Sequence, residues 1–221
     1  MVRDVPDELV PSLDLARVDA AQRRFESAIA GLDEACIRRP SLLAGWSVAH
    51  VLAHVARNGE SHVRRARAAA SGEVVEQYPG GYEGRERAIQ TTAERRANEI
   101  LQDVRETAAE LHAVWRAVPE HAWDGLTRDV AGRERPLREL PSRRWQELEV
   151  HLVDLDVGIT WDSWPDEFVA EFLPRLRSTR AGRLPSGASP PDTRALTDRQ
   201  ELAWLYGRHT GVSLPPLAPW G

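Results

Sequence analysis

Four stretches of this 221-residue chain place apolar residues at steps of three and four with charged residues between them. That period admits little except amphipathic helices that must pack on one another. The first covers residues 13–32, through Leu13, Leu15, Val18, Ala21, Phe25, Ile29 and Leu32. The second follows a loop that holds Pro40 and Gly45; Ser47 suits the N-cap, Val48, Val51, Leu52 and Val55 form the stripe, and the helix reaches residue 70 before Gly72 ends it. The third and longest is predicted over residues 85–117, with Ile89, Ile100, Leu101, Val104, Ala108, Leu111 and Trp115 buried and Pro119 as its stop. The fourth, residues 142–157, carries Trp145, Leu148, Leu152 and Leu155 and closes at Gly158. Each stripe needs a neighbour, so the predicted fold is mainly α, a four-helix bundle over residues 1–160.

The connections are less regular. Residues 77–84, Gln-Tyr-Pro-Gly-Gly-Tyr-Glu-Gly, have turn chemistry without an apolar period and read as a long surface connection. Residues 120–136 suit one short irregular strand. Beyond residue 160 the composition changes: 161–165 read as a linker, 166–179 as a helix apart from Pro174, 182–192 as a Ser-, Pro- and Gly-rich stretch, 197–206 as another helix and 214–221 as a Pro-rich tail. Residues 161–221 are therefore predicted to form a small C-terminal unit, α/β or α, docked on the bundle and closing its site. No internal repeat is visible.

Composition removes several function classes. The net charge of −5 lacks the basic footprint that phosphate-backbone binding requires, so nucleic acid is not an expected partner. The single cysteine, Cys36, excludes an internal disulfide and a multi-cysteine metal site; it is read as a small buried hydrophobe near the end of the first helix. The segment MVRDVPDELV has no apolar signal core and no stretch approaches a membrane span, which points to the cytoplasm. No G-x-S-x-G, P-loop or G-x-G-x-x-G motif occurs. All 29 Lys-or-Arg positions are Arg and asparagine occurs only at Asn58 and Asn98, a bias that fits a high-GC genome. Oligomeric state is not legible.

Polar residues beside the apolar stripes carry the chemistry. Glu147, His151 and Asp154 share a face of the fourth helix next to Leu148, Leu152 and Leu155, and His50, His54 and Asn58 form a row at four-residue steps on the second. Two histidines and one glutamate around an open position are a known catalytic zinc set, and bundles build such sites from facing helices. The competing reading pairs Glu147 with Arg143 or Arg144 and leaves His54 and His151 as satisfied core histidines. His50 or Asp154 can replace a ligand or support one from outside. His62, His112 and His121, among charged or helix-terminal neighbours, are expected to be solvated. Trp46, Trp164, Trp204 and Trp220 are expected mainly to pack.

The segments Ser41-Leu42-Leu43-Ala44-Gly45-Trp46-Ser47 with His50-Val51-Leu52-Ala53-His54-Val55, and Ser142-Arg143-Arg144 with Glu147, His151, Val153-Asp154-Leu155 and Gly158, resemble the mycothiol-dependent maleylpyruvate isomerases, whose amino-terminal part is a DinB/YfiT-like bundle. The C-terminal segments Trp204-Leu205-Tyr206-Gly207-Arg208 and Leu214-Pro215-Pro216-Leu217-Ala218-Pro219-Trp220 are similar too. The resemblance implies zinc or another divalent metal on His54, Glu147 and His151, and mycothiol, a low-molecular-weight thiol of high-GC actinobacteria, as cofactor. It implies that the metal-activated thiolate adds to the cis double bond of maleylpyruvate and is eliminated after rotation, leaving fumarylpyruvate. Arg85 and Arg208 look like family arginines that hold the carboxylates of the substrate, Arg85 also those of the thiol cofactor. The main departure lies in residues 161–221, read as shorter than in those isomerases, with residues 182–192 standing where they have more strand-forming sequence. Two other expectations stay open: a mycothiol S-transferase acting on another electrophile, and a non-catalytic metal- or ligand-binding bundle.

Overall fold

A computed structural model describes residues 10–219; Trp220 lies outside them. The chain divides at Val157/Gly158 into two compact units. In the first, α1 (Ser12–Ile29), α2 (Glu34–Arg38), α3 (Val48–Ala70), α4 (Gly81–Ala93) and α5 (Ala97–Ala117) are followed by a hairpin of β1 (Leu126–Arg128) and β2 (Glu134–Pro136) and by α6 (Leu140–Asp154). The second holds α7 (Asp166–Arg183) and α8 (Asp198–Leu205). Among the described residues no helix is long and apolar enough to cross a membrane.

The four long helices of the first unit pack as their stripes demand. α3 is the central element, buried on most of its circumference, and packs against α5, α4 and α6, while α1 lies along α6. Val51, Leu52 and Val55 meet a core that includes Ile100, Val104, Phe25, Ile29, Leu148 and Leu152, all essentially buried. The N-terminus of α3 is fixed by the His50 side chain folding back on the cap residue: the Ser47 N–H donates to His50 Nδ1 at 3.2 Å and the Ser47 hydroxyl contacts the same nitrogen at 2.8 Å.

Several boundaries differ from the sequence reading. The predicted third helix is two helices: α4 begins inside the expected surface connection, and the chain breaks between Ala93 and Ala97. The break is stabilised from α2, a short helix in the stretch that the sequence reading left as a loop after the first helix. Arg38 donates to the Ala93 carbonyl at 2.5 Å and the Arg95 carbonyl at 2.6 Å, and Glu34 accepts the Ala97 N–H at 2.8 Å. These bonds satisfy backbone groups that a continuous helix would have paired internally. Residues 126–136 form a two-stranded antiparallel hairpin, Leu126 opposite Pro136, instead of one strand. α1 ends at Ile29, and Leu13 is 63% exposed, outside the core. Cys36 lies in α2 and is partly exposed rather than buried.

The start of α4 depends on two glycines. Gly80 adopts φ 77°, and Gly84 lies so close to the Pro79 carbonyl that a Cβ would sit 1.8 Å from its oxygen. Only glycine permits the approach, which folds Tyr78 inward to 5% exposure.

The second unit has a core of its own. Trp164, Phe168, Phe172 and Tyr206 pack with ring centroids 4.8–6.2 Å apart. Arg177 donates to the buried Glu201 at 2.5 Å, and the Trp204 indole donates to the Pro215 carbonyl at 2.8 Å. Residues 158–219 contain no strand among those described, so this unit is α rather than α/β.

Candidate metal centre

α3 and α6 face each other with three ligand-bearing side chains between them. His54 Nε2 is 2.8 Å from Glu147 Oε2, and His151 Nε2 is 3.1 Å from the same oxygen. The two imidazole centroids are 4.6 Å apart with their planes at 83°. One ligand atom from each residue lies within 4.8 Å of the others, the only such grouping among the described residues. Zinc bonds of the usual length would put ligand atoms about 3.3 Å apart in a tetrahedron, so small adjustments suffice to seat an ion. Both histidines are buried, at 4% and 7% exposure, while the Glu147 side chain retains 22% and leaves the cluster open on one side.

The arrangement follows from local sequence. Glu147 and His151 are one turn apart on α6 and share its inner face. The facing helix is held at fixed height by Arg144, which donates at 2.8 Å both to the Val55 carbonyl, next in sequence to His54, and to Asn58 Oδ1. The loop before α3 is tied to the end of α6 by the Leu42 N–H, which donates to the Asp154 carbonyl at 3.0 Å. That tie sets Trp46 5.8 Å from the His54 ring.

The electrostatics suit a cation. Burial favours a neutral Glu147, but hydrogen bonds from His151 and His54 outweigh it and hold the carboxyl well below the usual range. Burial pulls His54 down to about 4 against the pull of Glu147, leaving it neutral at pH 7. Burial also disfavours charge on His151, yet its bonds to Asp154 and Glu147 prevail and raise its pKa. Asp154, fully buried, accepts from His151 Nδ1 at 2.8 Å, the outer bond typical of a metal-ligating histidine. His50 is engaged elsewhere, with Ser47 through Nδ1 and Gln90 through Nε2.

Arg85 joins the cluster from α4. Its guanidinium is 3.2 Å from His54 Nδ1 and lies over Trp46 and Tyr78 at 5.8 and 5.9 Å. Arg208 belongs to the second unit, part-buried just after α8, where its guanidinium donates to the Tyr206 carbonyl. Glu147 pairs with the two histidines, not with Arg143 or Arg144 as the competing reading had it.

Sequence reasoning missed Tyr78, whose burial depends on the Gly84 contact, and the bracing by Arg144, although its position three residues before Glu147 on the inner face was a signal. His62, expected to be solvated, is 1% exposed and packs edge-on against Trp115 at 5.8 Å. His112 is partly buried against Asp19, and His121 is exposed.

Residues 18–156 match a family model described as mycothiol maleylpyruvate isomerase N-terminal domain. Two solved structures share the fold over 100% of this chain and 100% of theirs, at 20% sequence identity: a mycothiol-dependent maleylpyruvate isomerase, with a TM-score of 0.84, and a histidine-to-alanine mutant of such an isomerase, with a TM-score of 0.85. No curated protein sequence matches.

Proposed function

The chain belongs to the mycothiol maleylpyruvate isomerase N-terminal domain family, and from that premise we propose that it is a metal- and mycothiol-dependent isomerase of maleylpyruvate or a closely similar cis-unsaturated dicarboxylate. The observation that carries the reading is the convergence of His54, Glu147 and His151, a His2Glu set of the kind that binds zinc with one position left open. A divalent cation held there supplies the open position for a thiol sulfur and favours its thiolate form.

The chain's own side chains do the rest. His54, Glu147 and His151 hold the ion, and Asp154 orients the His151 ring from behind. Arg85, supported over Trp46 and Tyr78, offers its planar guanidinium to a carboxylate of the substrate or thiol. Arg208 is assigned the same pairing role on its sequence motif. A thiol that returns unchanged after each turnover acts as a borrowed nucleophile, so the reaction needs no catalytic cysteine from the protein.

The test joins metal content to thiol bookkeeping. Wild type is expected to hold about one equivalent of zinc and Glu147→Ala none. The loaded wild type should convert maleylpyruvate to its trans isomer with mycothiol in substoichiometric amount. Net consumption of the thiol would make the protein an S-transferase, and bound metal without turnover would make it a binding module; either result would overturn the proposal.

A further inference from the structure

A polar groove lies in the first unit, lined by none of His54, Glu147 and His151 and linked to the surroundings of that cluster only through Arg144. Between α1 and α5 a groove of about 570 Å³ opens, within the size range of small-molecule sites. Its charged lining is Arg23, Arg105, Arg116 and Arg144 against Asp19 and Glu26.

The two carboxylates are already engaged. Asp19 lies 2.7 Å from His112 Nδ1, and Glu26 accepts from the Gln22 amide at 2.9 Å. The arginines are not. Arg23, Arg105 and Arg116 are exposed and make no hydrogen bond or ion pair among the described residues, whereas most arginines of the chain are paired.

Arg144 is fully buried and also lacks a carboxylate partner; it reaches only the Val55 carbonyl, Asn58 Oδ1 and, at 3.4 Å, Gln22 Oε1, itself a groove residue. Burial lowers its pKa only to about 10, so it is a cation at neutral pH. The Glu147 carboxylate, one turn on along α6, favours its charge from a distance without bonding to it, which leaves the guanidinium able to gain from a further negative group. Its Nε and the Trp115 indole nitrogen, also in the lining, are buried donors with no acceptor. The groove therefore holds unengaged donors and positive charge, with Val18, Ala108 and Leu111 as apolar wall.

We propose that the α1–α5 groove is a binding site for a small organic anion, its carboxylate or phosphate group set among Arg23, Arg105 and Arg116 above Arg144, and its apolar body against Val18, Ala108 and Leu111. The recognition is charge-assisted, so affinity rests on the arginines rather than on the metal.

Succinate and inorganic phosphate are the probes, titrated separately into the metal-loaded full chain while the Trp115 indole N–H resonance, assigned with Trp115→Phe, is followed. A saturable shift is expected with at least one probe, and the probe that binds tells carboxylate from phosphate. The shift should persist in His151→Ala and weaken about tenfold or more in Arg105→Gln/Arg116→Gln, whose exposed positions leave the fold intact. No saturable shift with either probe into the tens of millimolar would overturn the proposal. A shift unchanged in the double variant and lost in His151→Ala would place the anion at the metal centre, and equally overturn it.

Discussion

Asp154 and Arg85 act oppositely on the two histidines of the cluster. Asp154 accepts from His151 Nδ1 and so leaves Nε2 as the nitrogen that faces a metal. An arginine can only donate, so Arg85 obliges His54 Nδ1 to accept, which puts the proton of the neutral ring on Nε2, the nitrogen whose lone pair would have to be free for a metal. One ligand is therefore preorganised, and the other is held in the wrong tautomer until Arg85 moves. Asp154→Asn is expected to weaken zinc affinity by about tenfold or more, read by competition with a chelator. Arg85→Met should instead tighten it by about threefold to tenfold, because the competing donor is gone; weaker binding would show that Arg85 supports the site. The grouping of three residues able to hold a metal was legible in the sequence, because helical period puts Glu147 and His151 on one face and His54 beside an apolar stripe. The Arg85 contact was not, since it depends on where a glycine-rich turn starts α4.

That turn shows where an element depends on a single position. In Gly84→Ala the new methyl meets a backbone oxygen, which cannot rotate aside as a side chain would. The expected loss is about 1–3 kcal/mol, with a fall of several degrees in Tm. Zinc affinity should rise in the same direction as in Arg85→Met if α4 carries Arg85 away. The hairpin depends in the same way on Asp129. Burial alone would raise its carboxyl, but bonds from Arg135, at 2.8 Å, and Arg133 outweigh that and hold it at about 2. A depressed acid stabilises the fold above its unfolded pKa and loses that contribution as pH falls through the folded one. Asp129→Asn should therefore be less stable than wild type by about 1–2 kcal/mol near neutrality, with allowance for partial solvent screening. In urea melts that difference should shrink as pH falls from 5 towards about 2. The helical stripes were readable because 3.6-residue periodicity is written locally. The α4–α5 break was not, because the groups that satisfy it, Glu34 and Arg38, lie about sixty residues earlier in the chain. The burial of His62 was likewise hidden, since it is set by Trp115 on another helix.

At the scale of the whole molecule, an ion between His54 and the pair on α6 would connect helices 93 residues apart in sequence. Anything that binds the folded state but not the unfolded one stabilises it, by about 2.7 kcal/mol at a hundred times its Kd. Among the described residues the cluster able to hold a metal is confined to the first unit, and the second has its own aromatic core around Trp164, Phe168 and Tyr206. If each unit draws its stability from its own core, zinc should act unevenly. Hydrogen exchange on the full chain is expected to slow at amides of α3 and α6 when zinc is added, with α7 and α8 unchanged, and the slowing should vanish in Glu147→Ala. Equal slowing in α7 and α8 would mean that the chain opens as one cooperative block despite its two cores, and the independence argued here would be wrong.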